Sequence, residues 1–219
     1  MSKYRLLFSK TGRSVYISHL DLMKVMSRAF LRADCGLKFS EGFNPRPQIS
    51  LMLPLSVGCG SMCEIMDFVL ETDIPEADIL SLLSEQLPEG IEPVEVYRPE
   101  RKAKELKWLR VNGVFEYDDG SAASKCPELN GFFSSDSIVI SKKTKRGISD
   151  TDIKPAIRSI ALEESDGAVS LDAVISAQEP TLNPELLADA LRQLRPELAP
   201  DFAKFMRIEV FDEEMNVFR

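Results

Sequence analysis

Residues 4–36 have the sequence YRLLFSKTGRSVYISHLDLMKVMSRAFLRADCG, in which the hydrophobic period changes from that of a strand to that of a helix. Tyr4–Ser9 is a short apolar run that predicts a β-strand, and residues 10–13 predict a turn. From Ser18 onward, apolar residues recur every three or four positions, which predicts an amphipathic helix that stops at Gly36. This segment therefore predicts the strand–helix beginning of an α/β module.

The predicted helix has a recognisable start and a defined buried face. Ser18 and Asp21 have the spacing of a capping box, in which the hydroxyl and the carboxylate satisfy free N–H groups of the first turn. The apolar residues at helical spacing, expected to pack on a sheet, are Leu22, Val25, Met26, Ala29, Phe30 and Ala33.

The rest of the first hundred residues completes one module. Gln48–Leu55 and Glu64–Glu71 predict two strands, and in the second of them charged and apolar residues alternate. A second helix is expected from about Asp73 to the residue before Pro88, and Ile91–Tyr97 is expected to be the fourth strand. The order β-α-β-β-α-β over residues 1–100 predicts a ferredoxin-like module with both helices on one face of an antiparallel sheet.

The second half repeats this pattern less clearly. A charged segment at residues 98–104 is the predicted boundary, and residues 105–219 are expected to form a second, acidic α+β module, again ferredoxin-like. The fold class is therefore α/β (α+β) with two modules in tandem. The predicted strands are Leu106–Tyr117, Ser137–Ser141, Ala168–Ala177 and Phe205–Asp212; the predicted helices are Ser121–Leu129, Ile153–Ile160 as an insertion, and Asn183–Leu194 with Asn183 as N-cap.

Charge is distributed unevenly along the 219 residues, whose net charge is −8. Residues 1–60 hold nine Lys/Arg and three Asp/Glu, whereas residues 61–219 hold 18 and 32. This asymmetry predicts an anion-binding edge on an acidic protein; the alternative is that the basic residues are only solvated. No window approaches the roughly 18–20 apolar residues of a membrane span. The N-terminal residues also lack a signal peptide, so we expect a cytoplasmic protein.

The four cysteines are expected to be reduced thiols. Cys59 and Cys63 have the spacing of the first two cysteines of a radical-SAM cluster motif, but Met66 occupies the position of the third. A structural zinc site normally needs four cysteine or histidine ligands, and this segment offers two. We therefore expect free thiols, no metal site and no cofactor.

Candidate RNA- or phosphate-binding residues come from three places in the first module. They are the turn after the first strand, a basic stripe along the first helix, and the loop Phe39–Pro47, whose prolines stiffen the backbone around an arginine. An arginine and an asparagine in a stiff loop suit phosphate or base-edge recognition, with Phe43 either exposed for stacking or buried in the core. The candidates are Lys10, Arg13, Lys24, Arg28, Arg32, Asn44 and Arg46.

His19 is the single histidine and lies in the first turn of the predicted helix. A histidine there is suited to general acid or base chemistry near neutral pH, although a capping or packing role is the commoner one. No phosphate-binding glycine motif, dinucleotide fingerprint or H-E-x-x-H motif is present. His19 is therefore the one candidate catalytic residue.

Residues 9–61 resemble a radical-SAM-associated bacterial family catalogued as domain of unknown function 2344. The segments that carry the resemblance are Ser18-His19-Leu20-Asp21 and Gly42-Phe43-Asn44-Pro45-Arg46-Pro47, and weaker matches at 152–157 and 183–185 extend it over nearly the whole chain. The resemblance implies a radical-SAM protein as partner and an accessory role in RNA or ribosome modification. It implies no activity for this chain itself.

Three functions follow from these observations. The leading hypothesis is an RNA-binding accessory module that is not catalytic on its own and presents RNA to a radical-SAM partner. The second is a metal-independent endoribonuclease that uses His19, by analogy with the similar tandem plan of CRISPR RNA-processing endonucleases. The third is a protein–protein adaptor for a radical-SAM partner.

Overall fold

The computed structural model describes residues 2–144 and 147–219. The described chain divides into two units, the first ending at Glu105 and the second spanning Leu106–Phe218.

The first unit has four strands and two helices in the predicted order β-α-β-β-α-β. A 3-10 turn at Gly12–Tyr16 joins the first strand to the first helix. All strand pairs of this sheet are antiparallel, and the strand order is fourth, first, third, second, which is the ferredoxin-like order. The elements are β1 (Ser2–Lys10), α1 (His19–Arg32), β2 (Ile49–Leu51), β3 (Gly60–Leu70), α2 (Glu76–Ser84) and β4 (Ile91–Tyr97).

Both helices of the first unit pack on the same sheet face, as predicted. Alternate residues of a strand point to the same face, so the apolar set of β3 lies together on one side. Burial of these side chains supplies the main stabilisation of the unit. The shared core contains Tyr4, Leu6 and Phe8 of β1, Met66, Phe68 and Leu70 of β3, Leu22, Met26 and Phe30 of α1, and Ile79 and Leu83 of α2.

Helix α1 begins as the capping box predicts. The Ser18 hydroxyl oxygen accepts a hydrogen bond from the Asp21 backbone N–H at 3.2 Å and donates one to the Asp21 carboxylate at 2.7 Å. The helix ends earlier than predicted, because Asp34 already adopts a left-handed conformation with φ of 49°. Aspartate tolerates that conformation better than most residues, so the chain leaves the helix before Gly36.

The second unit is also ferredoxin-like, which confirms the predicted fold class. Its sheet is antiparallel throughout, in the order β10-β5-β9-β8, and β6 and β7 form a separate hairpin. The elements are β5 (Trp108–Glu116), α3 (Ala122–Phe133), β6 (Val139–Thr144), β7 (Gly147–Asp152), β8 (Ile157–Ser165), β9 (Ala168–Ser176), α4 (Glu185–Leu194) and β10 (Phe202–Phe211).

The predicted helix Ile153–Ile160 is wrong, because this segment is a 3-10 turn at Lys154–Ala156 followed by β8. A β-bulge between Ile157 and Ser159 shifts the register, so Ile157 and Ile160 lie on one face of a strand despite their spacing of three. A spacing of three between apolar residues is also typical of a helix, so the sequence pattern predicts a helix here. The strand predicted at Ser137–Ser141 consequently belongs to the inserted hairpin rather than to the main sheet.

Candidate nucleic-acid interface

The turn between β1 and α1 is held by backbone and side-chain hydrogen bonds. Lys10 is only 1% exposed, and its ammonium group donates to the Val15 carbonyl oxygen at 2.9 Å. The Thr11 N–H donates to the Gly90 carbonyl oxygen at 2.7 Å, and a Cβ on Gly90 would lie 2.4 Å from the Thr11 oxygen. Lys10 therefore stabilises the turn and is not part of an exposed surface.

The same turn also carries exposed residues. Arg13 is exposed and has no hydrogen bond or ion pair to any residue that the structure describes. Tyr16 is also exposed, whereas His19, the first residue of α1, is half-buried. Arginine and tyrosine at one end of the sheet offer a cation and an aromatic surface to a ligand.

The basic stripe of α1 is less free than its sequence suggests. Lys24 donates to the Asp21 carboxylate at 3.0 Å, and Arg32 donates to the side-chain and backbone oxygens of Gln86 near the end of α2. Arg28 is exposed and has no such partner within residues 2–144 and 147–219. Of the three stripe residues, Arg28 is thus the one that has no hydrogen-bond or ion-pair partner among the described residues.

The loop Phe39–Pro47 is closed at its base and projects an aromatic ring. The Ser40 N–H donates to the Arg46 carbonyl oxygen at 2.8 Å, and the Arg46 N–H donates to the Ser40 hydroxyl oxygen at 2.9 Å. Gly42, with φ of 118°, allows the sharp bend that precedes Phe43. Phe43 is fully exposed (106%), so the alternative that it packs in the core is wrong.

Asn44 and Arg46 lie beside Phe43 and are both exposed. The loop thus presents a ring, an amide and a guanidinium group along four successive residues. An aromatic ring can stack on a base, while the amide and the guanidinium can bind a base edge or a phosphate.

The candidate residues do not form one cluster. Lys10 pairs with Ser61 near the start of β3, whereas Leu37, at the base of the loop, pairs with Leu70 at its end. Nine residues of strand separate these two levels, about 30 Å. Arg13 and His19 therefore lie at one end of the first unit, Asn44 and Arg46 at the other, and Arg28 on the helix between them.

Three features were missed by sequence reasoning. Leu20 and Leu31 of α1 are exposed, and their positions outside the predicted buried set could have indicated this. A cavity of about 320 Å³ on the first sheet was also not foreseen, because its lining comes from three strands that are distant in sequence. In the second unit, Lys142 of the inserted hairpin belongs to a basic segment that lay outside the predicted site.

All four cysteines are buried, and none of them forms a disulfide bond. Burial raises the pKa of the Cys35 thiol above its ordinary value. Within residues 2–144 and 147–219, no group of three or more His, Cys, Asp or Glu side chains is placed to hold a metal ion. No helix among these residues has both the length and the apolar character that crossing a membrane requires.

Two ferredoxin-like units in tandem, the first with an exposed aromatic and cationic loop, define an α+β protein whose candidate site lies on a loop. The chain belongs to the family described as "Uncharacterized protein conserved in bacteria (DUF2344)", whose sequence model matches residues 3–184. No curated protein is similar to it in sequence.

One solved structure with a similar fold is a chain of the Cbf5–Nop10–Gar1 complex, with 10% sequence identity and a TM-score of 0.52. The likeness covers 96% of this chain and 50% of that one, so this chain spans about half of its length. At this identity it shows a shared fold. An unknown protein from Galdieria sulphuraria also matches, with 10% identity over 94% of this chain and 98% of that one, but the TM-score of 0.27 is too low to support a shared fold.

Proposed function

We propose that this protein is an RNA-binding accessory module without catalytic activity of its own, which binds single-stranded RNA with the loop Phe39–Pro47 and presents it to a radical-SAM partner. The observation that carries the proposal is the fully exposed ring of Phe43 at the tip of a loop closed by two hydrogen bonds. The radical-SAM partner is what the family resemblance implies.

Exposure of the Phe43 ring to water is unfavourable in free energy, and stacking of a base on the ring would offset this. A phenylalanine side chain in water forgoes roughly 1.5–3 kcal/mol of burial free energy, so it is more often found in the core. Stacking of a base on an aromatic ring recovers roughly 1–3 kcal/mol and accepts any base. Because the loop base is hydrogen-bonded, the ring needs little ordering on binding.

Neighbouring groups complete the recognition of a strand. In this proposal Arg46 binds a phosphate next to the stacked base, and the Asn44 amide both donates to and accepts from a base edge. Arg28 offers a further cation on α1, which extends the contact along the RNA. These groups suit an unpaired strand, whose bases are free to turn towards the ring.

The surroundings of His19 favour binding over catalysis. A general base is usually oriented by a hydrogen bond to a carboxylate, hydroxyl or carbonyl oxygen. His19 has no such hydrogen bond to any residue in the described part of the chain. We therefore do not assign RNA cleavage to His19.

The test is the affinity for a fluorescein-labelled single-stranded RNA octamer of mixed sequence, measured by anisotropy at two salt concentrations. Phe43→Ala should weaken binding about tenfold, the equivalent of one lost stacking contact. Phe202→Ala, which removes an exposed phenylalanine of β10, is the matched control and should bind as the parent does. Equal affinities of parent and Phe43→Ala would refute the proposed site, and salt-independent binding would refute the role of phosphate contacts.

The adaptor function is the second candidate, and one observation favours it. Tyr16 and Leu20 are both more than two-thirds exposed at the start of α1, where they provide an apolar surface distant from the loop. Such surfaces are typical of protein contacts. Replacing both with serine should abolish co-purification with a co-expressed radical-SAM protein, the partner that the resemblance implies, if the adaptor function holds, while RNA affinity stays unchanged.

A further inference from the structure

A cavity of about 320 Å³ lies on the sheet of the first unit, and its lining includes Lys3, Gln48, Ser50 and Asp67. The alternation of β1 and β3 defines the face on which it lies. Tyr4 and Phe68 belong to the core beneath the helices, so Lys3 and Asp67, one position away, project from the opposite face. The cavity is therefore a site on the sheet face that carries neither α1 nor α2.

The strand register brings its polar side chains side by side. Lys3 is opposite Val69, and Val69 donates its N–H to the Gln48 carbonyl oxygen at 3.1 Å. In the next row, Ser50 is opposite Asp67. Four polar side chains from β1, β3 and the β2 segment thus line one cavity, and apolar side chains such as Val69 supply the rest of its wall.

The four polar side chains differ in whether they already have a hydrogen-bond or ion-pair partner. Among the residues that the structure describes, the side chains of Lys3, Gln48 and Ser50 have no hydrogen-bond or ion-pair partner. The Asp67 carboxylate is fixed by Arg5, which donates to it through Nε at 2.7 Å and Nη2 at 3.2 Å. Each carboxylate oxygen retains a second lone pair, so Asp67 remains an oriented acceptor.

We propose that this cavity binds one nucleotide, with the base on Asp67, Gln48 and Ser50 and the phosphate on Lys3. A carboxylate, an amide and a hydroxyl recognise the N–H and carbonyl groups of a base edge, and an ammonium group is a common phosphate ligand. Ligand cavities range from roughly 300 to 1,000 Å³, so this one suits a single nucleotide rather than a longer segment.

The proposal rests on the RNA-binding function for the source of that nucleotide. Gln48 follows the loop Phe39–Pro47 directly, and Phe39 and Pro47 form a bridge that closes the loop. The cavity therefore begins at the base of the loop that carries Phe43. A base stacked on Phe43 and the nucleotide held in the cavity would belong to the same strand; a free mononucleotide is the other source with the same chemistry.

Two ligands distinguish these sources: the labelled RNA octamer, and the four free 5′-mononucleotides, whose binding is followed by NMR chemical shifts. Replacing Gln48 and Ser50 with alanine together should weaken both the mononucleotides and the RNA by about three- to tenfold. Lys3→Ala should have a similar effect. The matched controls are Ser81→Ala on α2 and Lys104→Ala, both exposed residues outside the cavity, and they should change neither affinity.

Each outcome separates this proposal from the proposed function. If Phe43→Ala weakens RNA binding but the Gln48/Ser50 double variant binds RNA and mononucleotides as the parent does, the cavity proposal is overturned and the loop remains the RNA site. If the double variant weakens mononucleotides alone, the cavity is a free-nucleotide site and its link to RNA is overturned. If the parent binds mononucleotides but no RNA, the proposed function fails while the nucleotide site stands.

Discussion

The two units have the same fold, and each contains an Arg–Asp ion pair between two neighbouring strands. The two pairs differ in how deeply the arginine is buried. In the first unit, Arg5 of β1 binds Asp67 of the neighbouring β3 through two nitrogens. In the second, Arg110 of β5 binds Asp172 of the neighbouring β9 through the same two nitrogens, Nε and Nη2. The Arg5 side chain is 2% exposed and that of Arg110 is 50% exposed. Because the two pairs use the same donor nitrogens but differ in burial, we expect the buried pair to contribute more to stability.

The physical reason is desolvation. A guanidinium group removed from water destabilises the fold unless an ion pair and hydrogen bonds compensate its charge. An exposed guanidinium group is solvated by water. Arg5 also donates to the Arg101 carbonyl oxygen at 2.9 Å, so the pair ties β1 to the segment after β4. The Arg110–Asp172 pair joins only two adjacent strands.

The largest effect is therefore expected from Asp67→Ala. It leaves the Arg5 guanidinium buried without its carboxylate and should lower the free energy of unfolding by about 3 kcal/mol. We place the value at the lower end of the usual range because the Asp67 side chain is itself 41% exposed. Chemical denaturation followed by circular dichroism measures the change directly.

Asp172→Ala is the matched control in the second unit. Because Arg110 is already half exposed, this variant should unfold at nearly the denaturant concentration of the parent. Equal destabilisation by the two variants would contradict the assignment of different weights to the two pairs.

The units differ in a second way, in the charge left free on their helices. Residues 1–105 hold 13 Lys/Arg and 15 Asp/Glu, and residues 106–219 hold 14 and 20. Arg28 on α1 has no partner in the described chain, whereas Arg192 on α4 donates to the Asp189 carboxylate at 2.8 Å. A free cation attracts phosphate more strongly than one already paired.

A smaller effect follows for RNA binding. Arg28→Ala should weaken the RNA octamer roughly threefold and reduce the salt slope of binding by about 0.7, the value for one lost phosphate contact. Its melting temperature should remain that of the parent, because the side chain is exposed. Arg192→Ala should change neither the affinity nor the slope. An unchanged slope for Arg28→Ala would remove α1 from the RNA contact.

The first unit could be predicted from sequence in most of its elements, and the reason is local. Ser18 and Asp21 mark the start of α1 through contacts within one turn, and Met66, Phe68 and Leu70 alternate without interruption. The second unit was harder, because the bulge between Ile157 and Ser159 depends on the partner strand β9. A single-sequence pattern contains no information about that partner, so β8 was predicted to be a helix.

The candidate site shows the same limit. The exposed loop residues Asn44 and Arg46 were predicted because prolines and a glycine mark a stiff loop in the sequence itself. For Lys10 the sequence predicts an exposed cation, but the side chain is buried. Its burial depends on the Val15 carbonyl oxygen and on the sheet around it, which the local sequence does not show. The cavity between Lys3 and Ser50 depends on strand register, which brings together residues 47 positions apart.

The smallest effect concerns pH, and it again compares the two units. In the first unit, hydrogen bonds from Arg98, Ser2 and Tyr4 lower the pKa of Asp73 from its ordinary value of 3.8 to about 2. In the second, hydrogen bonds from Ser121 lower the pKa of Asp119. The bond from the Ser121 hydroxyl is the larger cause, and the bond from its backbone N–H is the smaller one. Both carboxylates therefore hold fewer protons in the folded chain than in the unfolded one as the pH falls below their ordinary pKa of 3.8.

A lowered pKa fixes the sign of the pH dependence. The contribution of Asp73 to stability is complete above about pH 4 and is lost as the pH falls towards 2, since the unfolded chain takes up the proton first. Asp73→Asn should therefore flatten the decline of melting temperature over this range. Added salt should weaken the Asp73 effect, because its main partner is the charged Arg98, but should change that of Asp119 much less, because its main partner is a neutral hydroxyl. Melting curves of Asp73→Asn and Asp119→Asn at pH 2 to 5, at low and high salt, measure both effects; equal salt sensitivity of the two variants would show that the Arg98 charge does not hold Asp73.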